Sequence, residues 1–149
     1  MPTTPHDAVL KSTWSPIAPH VVVAEDNEDE RSLLVGALER DGCRVTAIPD
    51  GERLLDLMSS PGVGPTVDLV VSDVRMPGFS GLEVLGALPK TVQRAPWLLI
   101  TAMDGDDVLQ RARDLGALGV LRKPFGAIDF RLAVRLLLEH GHRARNRRR

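Results

Sequence analysis

The sequence predicts a doubly wound α/β domain, a parallel sheet covered by helices on both faces, on three observations. Five short runs rich in Val, Leu and Ile recur between residues 20 and 140. They lack the apolar–polar alternation of a sheet with one wet face, so each reads as a strand buried on both sides. Each run is followed by a segment of helical length and spacing, and strand–helix alternation with right-handed crossovers gives this architecture.

The elements follow in order. VVVAED (21–26) is a strand that ends in two acids, and the helix over 28–42 carries Leu34 and Leu38 on one face with Gly42 as its stop. CRVTAI (43–48) is the second strand, and Pro61-Gly62 closes the helix over 50–60. VDLVVSD (67–73) is the third, and Pro89 ends the helix over 81–88. WLLITA (97–102) and GVLRK (119–123) are the fourth and fifth strands, with helices over 106–117 and 127–140. On the last helix Phe130, Val134 and Leu137 form the expected core face. Ile128, Leu132 and Leu136 repeat on a different face, which reads either as peripheral packing or as a partner or dimer surface.

At 149 residues the chain fits one domain with tails. The single Cys43 excludes an internal disulfide framework and reads as a small buried apolar residue. The N-terminus lacks the charged start and apolar run of a signal peptide, and no stretch approaches a membrane span, so a cytoplasmic protein is expected. Residues 1–19 contain four prolines among small polar residues and read as a flexible leader. The net charge of −1 hides five arginines in the last seven residues; without them the remainder stands at −6. Residues 141–149 are therefore expected to be a disordered basic tail. No aromatic residue is interleaved with it, so nucleic-acid contact is not expected.

In such a sheet the working site lies outside the carboxyl ends of the strands. That edge would collect Glu25 and Asp26 from the first strand, Asp73 from the third, Thr101 from the fourth and Lys123 from the fifth. Three clustered carboxylates repel unless a cation joins them, and Mg²⁺ takes one or two carboxylates beside its waters. A lysine as a point charge suggests an arriving anion. Asp can act as a nucleophile toward phosphorus, and phosphoryl transfer asks mainly for positioning and charge neutralisation. Thr101 could donate to a phosphoryl oxygen, with the small Ala102 leaving room beside it.

VVVAEDN, LVVSDVRMPGFSGLEVL, LLITA and GALGVLRKPF occur in that order, with Thr101 and Lys123 22 residues apart. Residues 20–140 thereby resemble the receiver domain of two-component response regulators, in the single-domain form of the chemotaxis regulators. The resemblance implies a flavodoxin-like (βα)5 sandwich with strand order 2-1-3-4-5. It implies Asp73 as phosphoacceptor, and Mg²⁺ (or Mn²⁺) held by Glu25, Asp26, Asp73 and the backbone carbonyl of Arg75. Thr101, Ala102 and Lys123 would bind the phosphoryl group and operate the switch, and Lys123-Pro124 would be a cis peptide. A histidine kinase or histidine phosphotransfer protein would be the donor. A phosphoacceptor of this kind is not an enzyme beyond self-phosphorylation and self-dephosphorylation. Output would run through the helix 4–strand 5–helix 5 face to a protein target or a second copy.

One position departs from the family, which usually carries Tyr or Phe three residues before the lysine. Here it is Val120, so a flipping ring cannot be the readout. Val120 also favours an alternative, a phosphorylation-independent pseudo-receiver that serves as a binding scaffold; another is the receiver fragment of a longer transcriptional regulator. A haloacid-dehalogenase-like phosphatase would need a second Asp where Arg75 stands, and no phosphate-binding P-loop pattern occurs.

Overall fold

The computed structural model describes residues 17–90, 95–102 and 106–147. The chain order is β1 (His20–Ala24), α1 (Glu28–Arg40), β2 (Arg44–Ile48), α2 (Gly51–Ser59), a 3-10 turn (Gly64–Thr66), β3 (Leu69–Asp73), α3 (Gly81–Ala87), β4 (Trp97–Thr101), α4 (Asp106–Asp114), β5 (Gly119–Arg122) and α5 (Ala127–Arg147). All neighbouring strands are parallel, in the order β2-β1-β3-β4-β5. The expected doubly wound sheet is therefore present, each strand a little shorter than its apolar run.

Alternate side chains of a strand point to opposite faces, and here both faces are covered. Val22, Val70 and Leu99 point into a layer with Leu54 and Met58 of α2, Leu82 and Leu85 of α3, and Ala112 of α4. Val21, Val23, Val71 and Ile100 point into the other layer, against Leu34 and Leu38 of α1 and Phe130 and Val134 of α5. This double burial is why the strands read as continuous apolar runs. The edge strands differ: β2 and β5 are only partly buried.

Side-chain caps set where the helices begin, and so where the preceding loops end. Asn27 accepts from the Glu30 amide at 2.9 Å, and Asp50 accepts from the Arg53 amide at 2.8 Å. Ser80 and Glu83 form a reciprocal capping box at the start of α3. Each such cap contributes about 0.5–2 kcal/mol.

Two expectations for the last helix are corrected. Its buried stripe is Phe130, Val134 and Leu138, an i, i+4, i+8 row, while Leu137 is only partly buried and packs near Gly119. The helix does not stop at residue 140 but runs to Arg147, into the stretch expected to be a disordered tail. Of the leader, residues 1–16 lie outside the described residues, as do Arg148 and Arg149. Pro19 already belongs to the domain, its carbonyl accepting from the Arg44 amide at 2.8 Å. Among the described residues no helix is long and apolar enough to cross a membrane.

Candidate functional site

The carboxyl edge of the sheet gathers three of the side chains expected there. Asp73 is the last residue of β3, Glu25 follows β1 directly, and Lys123 follows β5 directly. The Lys123 Nζ donates to Asp73 Oδ2 at 2.7 Å and lies 3.4 Å from Glu25 Oε2. Glu25 is 1% exposed and Asp73 6%. Buried carboxylates need partners, and these have them. The Arg75 amide donates to Asp73 Oδ1 at 3.0 Å, and the Asn27 amide to Glu25 Oε1 at 3.2 Å. The Arg31 guanidinium reaches back to the Glu25 carbonyl at 2.8 Å.

The electrostatics follow from burial. Desolvation first, then a hydrogen bond with Asp73 and the Asp73 charge, push the Glu25 carboxyl up to about 8. Burial works against the Lys123 ammonium, but hydrogen bonds to Asp73 and Glu30 outweigh it and raise its pKa. The pocket thus holds more negative charge than one ammonium neutralises. An oxygen-rich site short of positive charge fits a hard divalent cation. Glu25, Glu30 and Asp73 each offer an oxygen within 4.8 Å of the others.

Of the carboxylates expected to hold a metal, Glu25 and Asp73 belong to this trio and Asp26 does not. Asp26 is exposed and stands outside the cluster, lining a neighbouring groove of about 380 Å³ with Arg75, Met76 and Glu83. Glu30, by contrast, was not anticipated. Its carboxylate accepts from Lys123 Nζ at 2.9 Å, and that hydrogen bond draws its pKa below the usual carboxylate value. Three residues after the Asn27 cap, Glu30 reads from sequence as an ordinary helix-start acid, which conceals its second partner.

Thr101 ends β4, is buried, and its carbonyl accepts from the Lys123 amide at 2.8 Å, which ties the two strand ends together. Ala102 beside it is exposed. The Lys123-Pro124 peptide bond is cis. Val120 lies in β5, partly buried against the α2–α3–α4 side of the core. Ile128, Leu132 and Leu136 are exposed at 80%, 54% and 56%. Close packing sets the position of Asp73 from behind: a Cβ on Gly81 would lie 2.5 Å from the Asp73 carbonyl oxygen.

Comparison with known proteins agrees with this fold. Residues 21–135 match the family model of the response regulator receiver domain. The chain is 35% identical over 119 residues to the uncharacterized transcriptional regulatory protein YkoG of Bacillus subtilis (strain 168), covering 80% of this chain and 50% of YkoG. It is 30% identical over 123 residues to the two-component response regulator ORR5 of Oryza sativa subsp. japonica, covering 80% of this chain and 90% of ORR5. Among solved structures, the receiver domain of the Francisella response regulator 1452 superposes with a TM-score of 0.73 at 25% identity, covering 82% of this chain and 98% of that one. The chain thus spans about half the length of YkoG but most of ORR5.

Proposed function

The chain belongs to the response regulator receiver domain family, and on that premise we propose that it accepts a phosphoryl group on Asp73 from a histidine kinase or a histidine phosphotransfer protein. The observation that carries this reading is the Lys123 ammonium 2.7 Å from the Asp73 carboxylate, beside the buried Glu25, at the strand-end edge of the sheet. One Asp73 oxygen accepts from the Arg75 amide, which aims the carboxylate without neutralising it.

In the proposed step an Asp73 oxygen attacks phosphorus, the P–N bond of the donor phosphohistidine breaks, and its electron pair leaves on the imidazole, which takes up a proton. The product is an acyl phosphate. Glu25, Asp73 and the Arg75 carbonyl, with Asp26 turned in from the adjoining groove, would hold Mg²⁺ or Mn²⁺. When bound, the ion offsets the charge of the carboxylates and the phosphoryl oxygens. Lys123 binds one phosphoryl oxygen as a cation, and the Thr101 hydroxyl, with Ala102 leaving room, binds another.

The modification adds about −1.5 to −2 charge beside Lys123 and Thr101, and it biases the fold toward whichever state holds those oxygens better. Val120 excludes an aromatic switch, so the signal passes through the backbone tie between Thr101 and Lys123. It reaches the α4–β5–α5 face, where α4 fully buries only Ala112 and β5 is an edge strand. Ile128, Leu132 and Leu136 offer an apolar surface to a protein target or a second copy.

The test is incubation with acetyl phosphate and Mg²⁺, followed by mass spectrometry. A base-labile gain of one phosphoryl group that vanishes in Asp73→Asn is expected; no gain, or a gain that persists in the variant, overturns the assignment. Two other readings have specific support. Val120 favours a phosphorylation-independent scaffold, and the half-length match to YkoG favours the receiver portion of a transcriptional regulator.

A further inference from the structure

We infer that Glu30 is a positioning residue that competes with an arriving phosphoryl group for the Lys123 ammonium, and so acts as a brake on phosphoryl retention at Asp73. The inference rests on the phosphoacceptor reading above. An ammonium has three N–H donors. Here three carboxylates claim them: Asp73 at 2.7 Å, Glu30 at 2.9 Å and Glu25 at 3.4 Å. No donor is left over for a phosphoryl oxygen, so one of these bonds must be given up when the group arrives.

Acylation decides part of the exchange. Once one Asp73 oxygen bridges to phosphorus, that carboxyl loses its negative charge and its hold on Lys123 weakens. Glu25 is buried behind the site and tied to the Asn27 amide. Glu30 is the remaining strong competitor. Its backbone is fixed by the Asn27 cap, and its half-exposed carboxylate pulls the ammonium toward α1. The same carboxylate also repels the dianion. Both effects oppose retention of the phosphoryl group, and Glu30→Gln relieves both while keeping the shape of the side chain.

The test measures binding of beryllofluoride, a phosphoryl mimic, at saturating Mg²⁺ to the full chain. Exposed ion pairs of this kind shift equilibria by about two- to fivefold, so Glu30→Gln should bind the mimic two to five times more tightly. Glu30→Asp keeps the charge and the helix start but falls one methylene short of Lys123, and it should move in the same direction. The Lys123 Nζ nitrogen resonance of the metal-free protein should shift in both variants, a readout that a role confined to the helix start would not move. Unchanged or weaker binding in Glu30→Gln, or a wild-type Nζ resonance in it, overturns the inference alone. If the wild-type chain binds no beryllofluoride at all, the phosphoacceptor reading fails and this inference goes with it.

Discussion

Gly81→Ala places a methyl group directly behind the phosphoacceptor. On the observed backbone the new Cβ stands 2.5 Å from the Asp73 carbonyl oxygen, 2.8 Å from Ser72 Oγ and 3.3 Å from the Asp73 carbonyl carbon. Carbon and oxygen rest no closer than about 3.3 Å, so an opening of roughly 0.8 Å is required. Little there can yield. Asp73 pairs with Ile100 in the middle of the sheet, and Ser72 Oγ donates to the Asp73 carbonyl at 2.9 Å. On the other side, the Gly81 amide donates to the Val74 carbonyl at 2.9 Å and the Ser80–Glu83 box anchors α3. Overpacking of this kind costs about 1–3 kcal/mol, or a fall of roughly 2–12 °C in Tm at this chain length. The shift also moves the Asp73 carboxylate, so labelling by acetyl phosphate should slow even where the variant is fully folded. Thermal melts and labelling rates, measured below the transition, check both arms. Gly36→Ala serves as the control: it lies inside α1 with nothing within 4 Å of the added carbon, and it should stabilise by about 0.5–1 kcal/mol. Wild-type melting and labelling in Gly81→Ala would refute the close-packing argument.

Two further predictions concern charge and surface. Folding raises the Glu25 pKa above its ordinary value, so its protonated form is favoured; that contribution is complete below the unfolded pKa and is lost as pH rises toward about 8. Mg²⁺ requires the carboxylate, and calorimetry should therefore show affinity climbing by up to about tenfold per pH unit before it levels near that value, with a flat profile refuting the coupling. Leu132→Glu and Leu136→Glu, both at exposed positions, should change stability by no more than about 0.5 kcal/mol. If self-association and partner binding also stay unchanged in sedimentation and pull-down measurements, the α5 face is not a docking surface.

Much of the molecule was legible in its sequence for one physical reason. Strands covered on both faces must be apolar throughout, so Val21–Ala24 and Leu69–Val71 declare themselves, and their polar ends stand out. Parallel topology then brings those ends to one edge, which is how Glu25, Asp73 and Lys123 were placed together across 98 residues of chain. The phase of a single helical stripe is less secure, since adjacent leucines compete for it, and Leu138 rather than Leu137 is buried in α5. The end of α5 at Arg147 is not marked in the sequence, because arginines are compatible with a solvated tail and with a helix C-terminus alike.

The amino-acid sequence by itself determined the sheet, its helices, the family and the residues at the carboxyl edge, because hydrophobic period and strand-end chemistry are local. Only the tertiary structure decided which carboxylates share the Lys123 ammonium. Asp26 neighbours Glu25 in the chain yet faces the open groove, while Glu30, in the first turn of α1, turns back onto Lys123. An ion pair depends on where two side chains end in space, and a lysine 93 residues away in sequence leaves no periodic trace at Glu30.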